Sequence, residues 1–459
     1  MSFQMSHYRI LTCFFLTLAA TVSVSFGFPQ ENRTQTPRLR SYEYEPKPDG
    51  DEFRVFNPAK AQNPSGLILK KGDRLAIVGD SITEQKMYSR IIETYLTACL
   101  PDLEITVRQY GWSGETAAGF LRRMDKDCLT FEPTIATICY GMNDAKYRPF
   151  DVTNGNWYRD NYTAIVDRFQ EKNVRVIVGS PGCSGKIASW VNPKSGTLQE
   201  HNLHLCALRD IALEIAAQKK TPFADIFWPM YQQQILAPKQ FMKSAEEYAV
   251  AGKDGIHPGW AGQVIMAFAF LKAMGLDGNL GTIHVDMKNG TASADGKHEI
   301  KAYSDGVVTV VSSQYPYCAN GPIDDDNSIR SGMSLIPFSE SLNRFLLKVV
   351  GTNGKQVRVT WGDSVQVFSS DEAAQGIRLA DRFEKNPFSP YFDKIDAAVL
   401  AKQTYETKQV KQIFHGEAGN KDFAKAVEDT EAERKPLADA IRQAIVPVEH
   451  QIKIELIDR

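Results

Sequence analysis

An excess of either charge is what this chain lacks first: 53 Lys and Arg stand against 55 Asp and Glu, a formal net charge of −2. Both signs are scattered along its length, so there is no electrostatic footprint for DNA, RNA or an anionic membrane, and nucleic acid is not an expected partner. Beyond the first 28 residues no stretch is apolar enough to span a bilayer, which argues against stable membrane insertion. Cysteine is scarce, with seven residues. None sits in a Cys-x-x-Cys pair or a Cys/His array of metal-binding spacing, so no zinc site is expected. The Gly-x-Ser-x-Gly elbow of the α/β-hydrolase plan is absent: Ser81 is followed by Ile82-Thr83, Ser113 by Gly114-Glu115 and Ser184 by Gly185-Lys186. Internal repeats and long low-complexity tracts are missing too.

What is there is an ordinary globular composition, 43% hydrophobic and 24% charged, long enough for two domains or one domain with a large appendage. Residues 1–27 have the make-up of a signal peptide. His7 and Arg9 precede an apolar run from Ile10 to Phe28, with small residues at Ser23, Ser25 and Gly27. Thr12, Thr17 and Thr21 dilute that run and no stop-transfer cluster follows at once, which favours a cleaved leader over an anchor. The expected location is periplasmic or extracellular. Export would allow some of the cysteines outside the leader (Cys99, Cys128, Cys139, Cys183, Cys206 and Cys318) to pair, with burial as the default.

Residues 28–67, rich in Pro, Asn, Lys and Arg with little periodicity, are expected to form an extended N-terminal arm. Over residues 68–280 apolar strands alternate with amphipathic helices. Strands are predicted at Leu75–Val78, Ile105–Val107, Ile135–Ile138, Val174–Val178 and Phe223–Phe227. Helices are predicted through Ile91 and Leu96, over about 157–171, near 203–218, and from Pro258 to Gly275. Such alternation means parallel strands joined by helical crossovers, an α/β fold with helices on both faces of the sheet. Residues 281–459 change character, with β-like runs at Val307–Val311, Phe345–Val350, Val357–Val359 and Ile452–Leu456. These predict a smaller, β-rich, partly solvated antiparallel domain. A charge-rich helical insertion over about 371–445 is expected to present a solvated face.

Four short blocks carry the chemistry: Gly79-Asp80-Ser81, Gly114, Gly141-Met142-Asn143-Asp144 and Asp254-Gly255-Ile256-His257. Each follows a predicted strand or enters the last helix, the end of a parallel sheet where ligands bind. Ser81 alone would pass for a helix N-cap, and Asp254-x-x-His257 alone for a metal pair or a helix start. No third or fourth ligand accompanies that pair. Taken together, Ser81 is the candidate nucleophile, His257 the base and Asp254 the group that orients it. The backbone N–H groups of Ser81 and Gly114, with the Asn143 amide, are the candidate oxyanion donors. Asp80 is expected to hold the turn and takes no catalytic step.

The order and wording of these blocks resemble the SGNH, or GDSL, hydrolase superfamily, whose name records Ser, Gly, Asn and His, here Ser81, Gly114, Asn143 and His257. The resemblance covers about residues 70–280. It implies a flavodoxin-like three-layer α/β/α sandwich, no cofactor, and ester hydrolysis through an acyl-enzyme; no metal is expected either, since no set of residues has ligand spacing. Two departures stand out: Ile82 where many members carry Leu, and Gln109-Tyr110 where Asn is common before the glycine. The C-terminal half looks like the appendage of large exported bacterial members.

The expected substrate is a small acyl ester, acetyl or similar, on a glycan. Trp112, Tyr147, Trp157, Trp190 and Trp260 lie near strand ends and are candidates to stack on sugar rings, although such residues are more often core. A lipase or thioesterase for longer acyl chains, and a non-catalytic glycan-binding protein on a hydrolase fold, are the alternatives.

Overall fold

Apolar runs of four or five residues, too short for helices and almost free of charge, pair side by side in one parallel sheet. The computed structural model describes residues 43–64 and 66–458, and the leader and the arm before Glu43 lie outside the described residues. Strands β1 Arg74–Gly79, β2 Thr106–Gln109, β3 Ile135–Cys139, β4 Arg175–Gly179 and β5 Phe223–Ala224 lie in the order β2-β1-β3-β4-β5, every pair parallel. This is the flavodoxin-like order. All of β3, and β1 after Arg74, is buried, the setting in which a strand reads as continuous Ile, Val and Ala. From β1 to β2 the chain moves one way across the sheet, and from β3 to β5 the other. Right-handed crossovers therefore place the helices on opposite faces. Tyr88–Ala98 packs with Trp260–Ala273, while Ala117–Asp127, Val152–Glu171 and Leu198–Lys219 pack on one another.

Capping sets several boundaries. Asp151 accepts from the Asn154 N–H at 2.8 Å, and Thr197 and Glu200 form a capping box, so two helices begin earlier than periodicity indicates. The fifth strand, predicted to reach Phe227, stops at Ala224. Ser180 Oγ accepts from the N–H groups of Ile226 (2.8 Å) and Phe227 (3.0 Å), which withdraws them from the ladder, and a helix runs from Phe227 to Gln240. The last helix opens at Trp260 rather than Pro258.

Nine further strands follow: β6 Asn279–Asp286, β7 Thr291–Ala294, β8 His298–Ser304, β9 Val307–Ser312, β10 Arg344–Val350, β11 Gln356–Trp361, β12 Ser364–Phe368, β13 Ile377–Arg378 and β14 Val448–Ile457. They form sheets β13-β10-β6-β7 and β12-β11-β14-β9-β8. The second is antiparallel, and β14 buries Val448, His450, Ile452 and Ile454 while exposing Glu449, Gln451 and Lys453. The first departs from the antiparallel expectation, because β6 and β10 pair in parallel; the chain between them crosses to the other sheet and back.

The helices Ser389–Lys408 and Phe423–Gln443 of the insertion expose most of their charges, as expected, but also pack one side on the sheet. They lie along β2, the edge strand. Lys402 Nζ and Arg434 donate to the Val107 carbonyl, and the Gln109 N–H donates to Glu406 at 3.3 Å, so side chains satisfy an edge that would otherwise be open. Lys402, only 1% exposed, pairs with Glu93 at 2.8 Å and Glu406 at 3.1 Å. The described part of the arm is not simply extended either: it holds a one-turn helix, Asp51–Arg54, and packs Phe53 and Phe56 against Trp228 and Tyr231. The six cysteines among the described residues are buried and unpaired.

Candidate active site

Strand β1 ends on Gly79, where a Cβ would stand 2.1 Å from Thr83 Oγ1 and 2.9 Å from the Cys139 carbonyl; only glycine lets the following turn settle on the sheet. Asp80 then caps the short helix Ser81–Glu84, its Oδ1 accepting from the Ile82 N–H at 3.0 Å. Ser81 takes the first helical position, at the carboxyl end of a central strand, and its N–H has no acceptor among the described residues.

His257 arrives on the loop before Trp260–Ala273. Asp254 Oδ1 accepts from the backbone N–H groups of Ile256 (2.9 Å) and His257 (2.8 Å), and Gly255 adopts φ +82° with the Lys186 backbone within 2.6 Å of where a Cβ would be. The tight turn aims Asp254 Oδ2 at His257 Nδ1, 2.7 Å away. On the far side of the ring, Nε2 lies 2.8 Å from Ser81 Oγ. Partial burial opposes the charge on Asp254, but the bonds from the His257 backbone, the His257 ring and the Ile256 backbone outweigh it and hold its carboxyl below the usual carboxylate range. An ionised Asp254 fixes the proton on Nδ1 and leaves Nε2 to accept from the serine hydroxyl.

The structure thus joins Ser81, His257 and Asp254 by direct hydrogen bonds, and the other two predicted residues border them. Asn143 Nδ2 donates to the carbonyl of Glu115, next to Gly114, at 3.0 Å and approaches Asp80 Oδ2 at 3.4 Å. The Tyr147 hydroxyl donates to Asn143 Oδ1 at 3.2 Å, which leaves Nδ2 as the end turned to Glu115 and Asp80. Gly114 has φ +74° with open space where a Cβ would sit, and its N–H has no acceptor among the described residues. Lys146 and Tyr147 hold consecutive positive φ values of 53° and 52°, a strained bend beside the site.

Beneath these groups lie two buried acids, Asp80, which holds the turn as expected, and Asp144, to which the sequence assigned no role. Burial pushes the carboxyl of Asp80 up to about 7, against the Ile82 N–H, with Asp144 adding to the rise. Asp144, also pushed up to about 7 by burial, accepts from the Ala117 N–H at 3.0 Å. Among the five aromatics, Trp190 is 54% exposed and its ring centre lies 5.9 Å from that of His257. Trp112, Trp157 and Trp260 instead lie against Arg123, Lys146 and Arg90. A second serine–histidine contact, Ser184 to His201 at 3.0 Å, is wholly buried. A cavity of about 590 Å³ between β2 and the insertion is lined by Arg108, Lys402 and Arg434 and by none of Ser81, Asp254 and His257. Among the described residues no group of three or more His, Cys, Asp or Glu side chains converges to hold a metal, and no helix is long and apolar enough to cross a membrane.

Residues 77–265 match the GDSL-like lipase/acylhydrolase family, a span that runs from β1 past His257. These residues form an SGNH-type ester hydrolase domain. An acyl ester is therefore the substrate class of the SGNH domain. An acetylxylan esterase from Geobacillus stearothermophilus is 24% identical over 237 residues, 46% of this chain and 98% of the esterase. The solved structure of a gut microbial diltiazem-metabolizing enzyme, 22% identical, is similar over 86% of this chain and 100% of that one with a TM-score of 0.67. The likeness extends beyond the SGNH domain, so the fold that joins it to C-terminal sheets recurs.

Proposed function

We propose that the protein is a serine esterase that removes small acyl groups, acetyl above all, from the hydroxyls of a carbohydrate. The hydrogen-bonded series Ser81–His257–Asp254 carries this reading. Ser81 Oγ attacks the acyl carbon as its proton passes to His257 Nε2, and Asp254 steadies the imidazolium. The N–H groups of Ser81 and Gly114 and the Asn143 amide meet the charge that develops on the carbonyl oxygen. As the tetrahedral adduct collapses, His257 returns the proton to the departing sugar oxygen. The same base then activates the water that releases the acid.

Similarity to an acetylxylan esterase supports an acetyl ester on a carbohydrate. Trp190, open to solvent beside His257, supports a sugar ring on the leaving-group side. The leader-like residues 1–27 support action outside the cytoplasm. The test is acetate release from a panel of acetylated polysaccharides by the parent protein and Ser81→Ala. The parent should release acetate from at least one, with a loss of about 10⁴–10⁶ in kcat in the variant. Release by Ser81→Ala at the parent rate would overturn the mechanism, and faster turnover of long-chain than of acetyl esters would overturn the substrate.

A further inference from the structure

The insertion that caps β2 also reaches the site. The helix Ser389–Lys408 runs on into a π-helical turn, Gln409–Phe414, a distortion frequent at functional positions. Lys411 on that turn places Nζ 2.7 and 2.9 Å from the two carboxylate oxygens of Glu84, the last residue of the helix that begins at Ser81. Glu84 Oε2 accepts, at 2.6 Å each, from the N–H and the hydroxyl of Ser113, the residue before Gly114. Loop and helix touch directly as well: a Cβ on Gly111 would stand 2.2 Å from the Glu84 nitrogen. Lys411 Nζ also sits 5.3 Å from the centre of the Trp112 ring. Nearby His415 packs edge-on to that ring at 5.0 Å and bonds Asp127 at 2.8 Å. Burial opposes the charge on Glu84, but the bonds from Lys411 and Ser113 hold its carboxyl below the usual range.

We propose that Lys411 is a positioning residue which, through Glu84, clamps the Ser81 helix to the Gly114 loop and fixes the mutual orientation of the two backbone oxyanion donors. The inference rests on the esterase reading above. It makes a residue far outside the family-matched span 77–265 part of the working site. The logic is geometric. Ser81 N–H and Gly114 N–H belong to separate segments, and one carboxylate that is carried by the first, accepts from the second and is itself held by a cation sets their relative placement.

The test uses the full chain with 4-nitrophenyl acetate. Lys411→Met should lower kcat about tenfold at unchanged KM, within the roughly hundredfold that a misplacement of about 1 Å costs, and Lys411→Arg should restore it. Glu84→Gln should lower kcat similarly, and the double variant Lys411→Met/Glu84→Gln should be no worse than the poorer single one, since the pair acts as a unit. Amide hydrogen exchange over residues 109–116 should quicken in Lys411→Met, a readout that needs no turnover. Parent kcat in Lys411→Met, additive losses in the double variant, or unchanged exchange would each overturn the clamp. If the parent protein hydrolyses no ester yet exchange quickens in Lys411→Met, the esterase reading fails while the clamp itself is supported.

Discussion

Glu115 and Arg123 meet through two hydrogen bonds of 2.7 Å, a bidentate ion pair buried one residue beyond Gly114. The same guanidinium donates to the Tyr110 carbonyl at 2.7 Å and to Asp127 at 3.2 Å, and the Tyr140 hydroxyl adds a 2.7 Å bond to Glu115. Both ends of the Tyr110–Glu115 loop are thereby tied to one side chain. Arg123→Met would leave buried carboxylates unpaired and should cost about 3–5 kcal/mol. Arg123→Lys keeps the charge without the fork and should recover only part. Chemical denaturation of the two variants checks both statements.

Asn143→Ala removes the amide that Tyr147 orients. If that amide meets the oxyanion, kcat should fall by about 10²–10³ with KM little changed. An equal rise in KM with constant kcat would mean that Asn143 merely binds substrate.

Asp144 and Asp80 give stability a distinctive pH dependence. Burial raises each carboxyl to about 7 in the folded chain, whereas an unfolded aspartate ionises near ~4. Between those values the folded state holds protons that the unfolded state has lost, so stability should fall as pH rises through that window and level off above it. Asp144→Asn keeps an acceptor for the Ala117 N–H and cannot ionise. The drop in denaturation midpoint from pH 5 to pH 8 should therefore shrink in this variant; an identical drop would show that Asp144 does not titrate there.

Trp190→Ala should separate sugar from acyl recognition. Loss of a stacking partner worth about 0.5–1.5 kcal/mol should raise KM for an acetylated oligosaccharide severalfold while sparing kcat on 4-nitrophenyl acetate. Equal losses on both substrates would point to a structural role beside His257.

Much of the site was legible in the chain because each block sits where a strand ends, and the turn chemistry is local: Gly79 for close approach, Asp80 for the cap, Gly255 for the bend that aims Asp254. The parallel sheet between helices followed from alternating apolar strands and amphipathic helices, and its flavodoxin-like order is the one the family resemblance implied. What escaped notice depends on distant partners. Arg90 and Asp396 pair across 306 positions, so within a run of charges that is mostly solvated a few, Asp396, Lys402 and Glu406 among them, are taken up by the surface the insertion covers. Phe223–Phe227 read as a strand because nothing within it shows that Ser180 will take two of its N–H groups. Trp112 and Trp190 have the same local signature, and only packing separates the ring under Lys411 from the one beside His257.

Strand β2 is the outer member of the parallel sheet, and its free side meets Lys402, Arg434 and Glu406 rather than another strand. Cutting the chain after the helix Trp260–Ala273 would keep Ser81, Asp254 and His257, yet would bare a row of amides and carbonyls and strand Glu93 without its lysine. Such a fragment would recruit copies of itself along that margin. Shortened forms should thus be checked for association before any loss of turnover is ascribed to the chemistry.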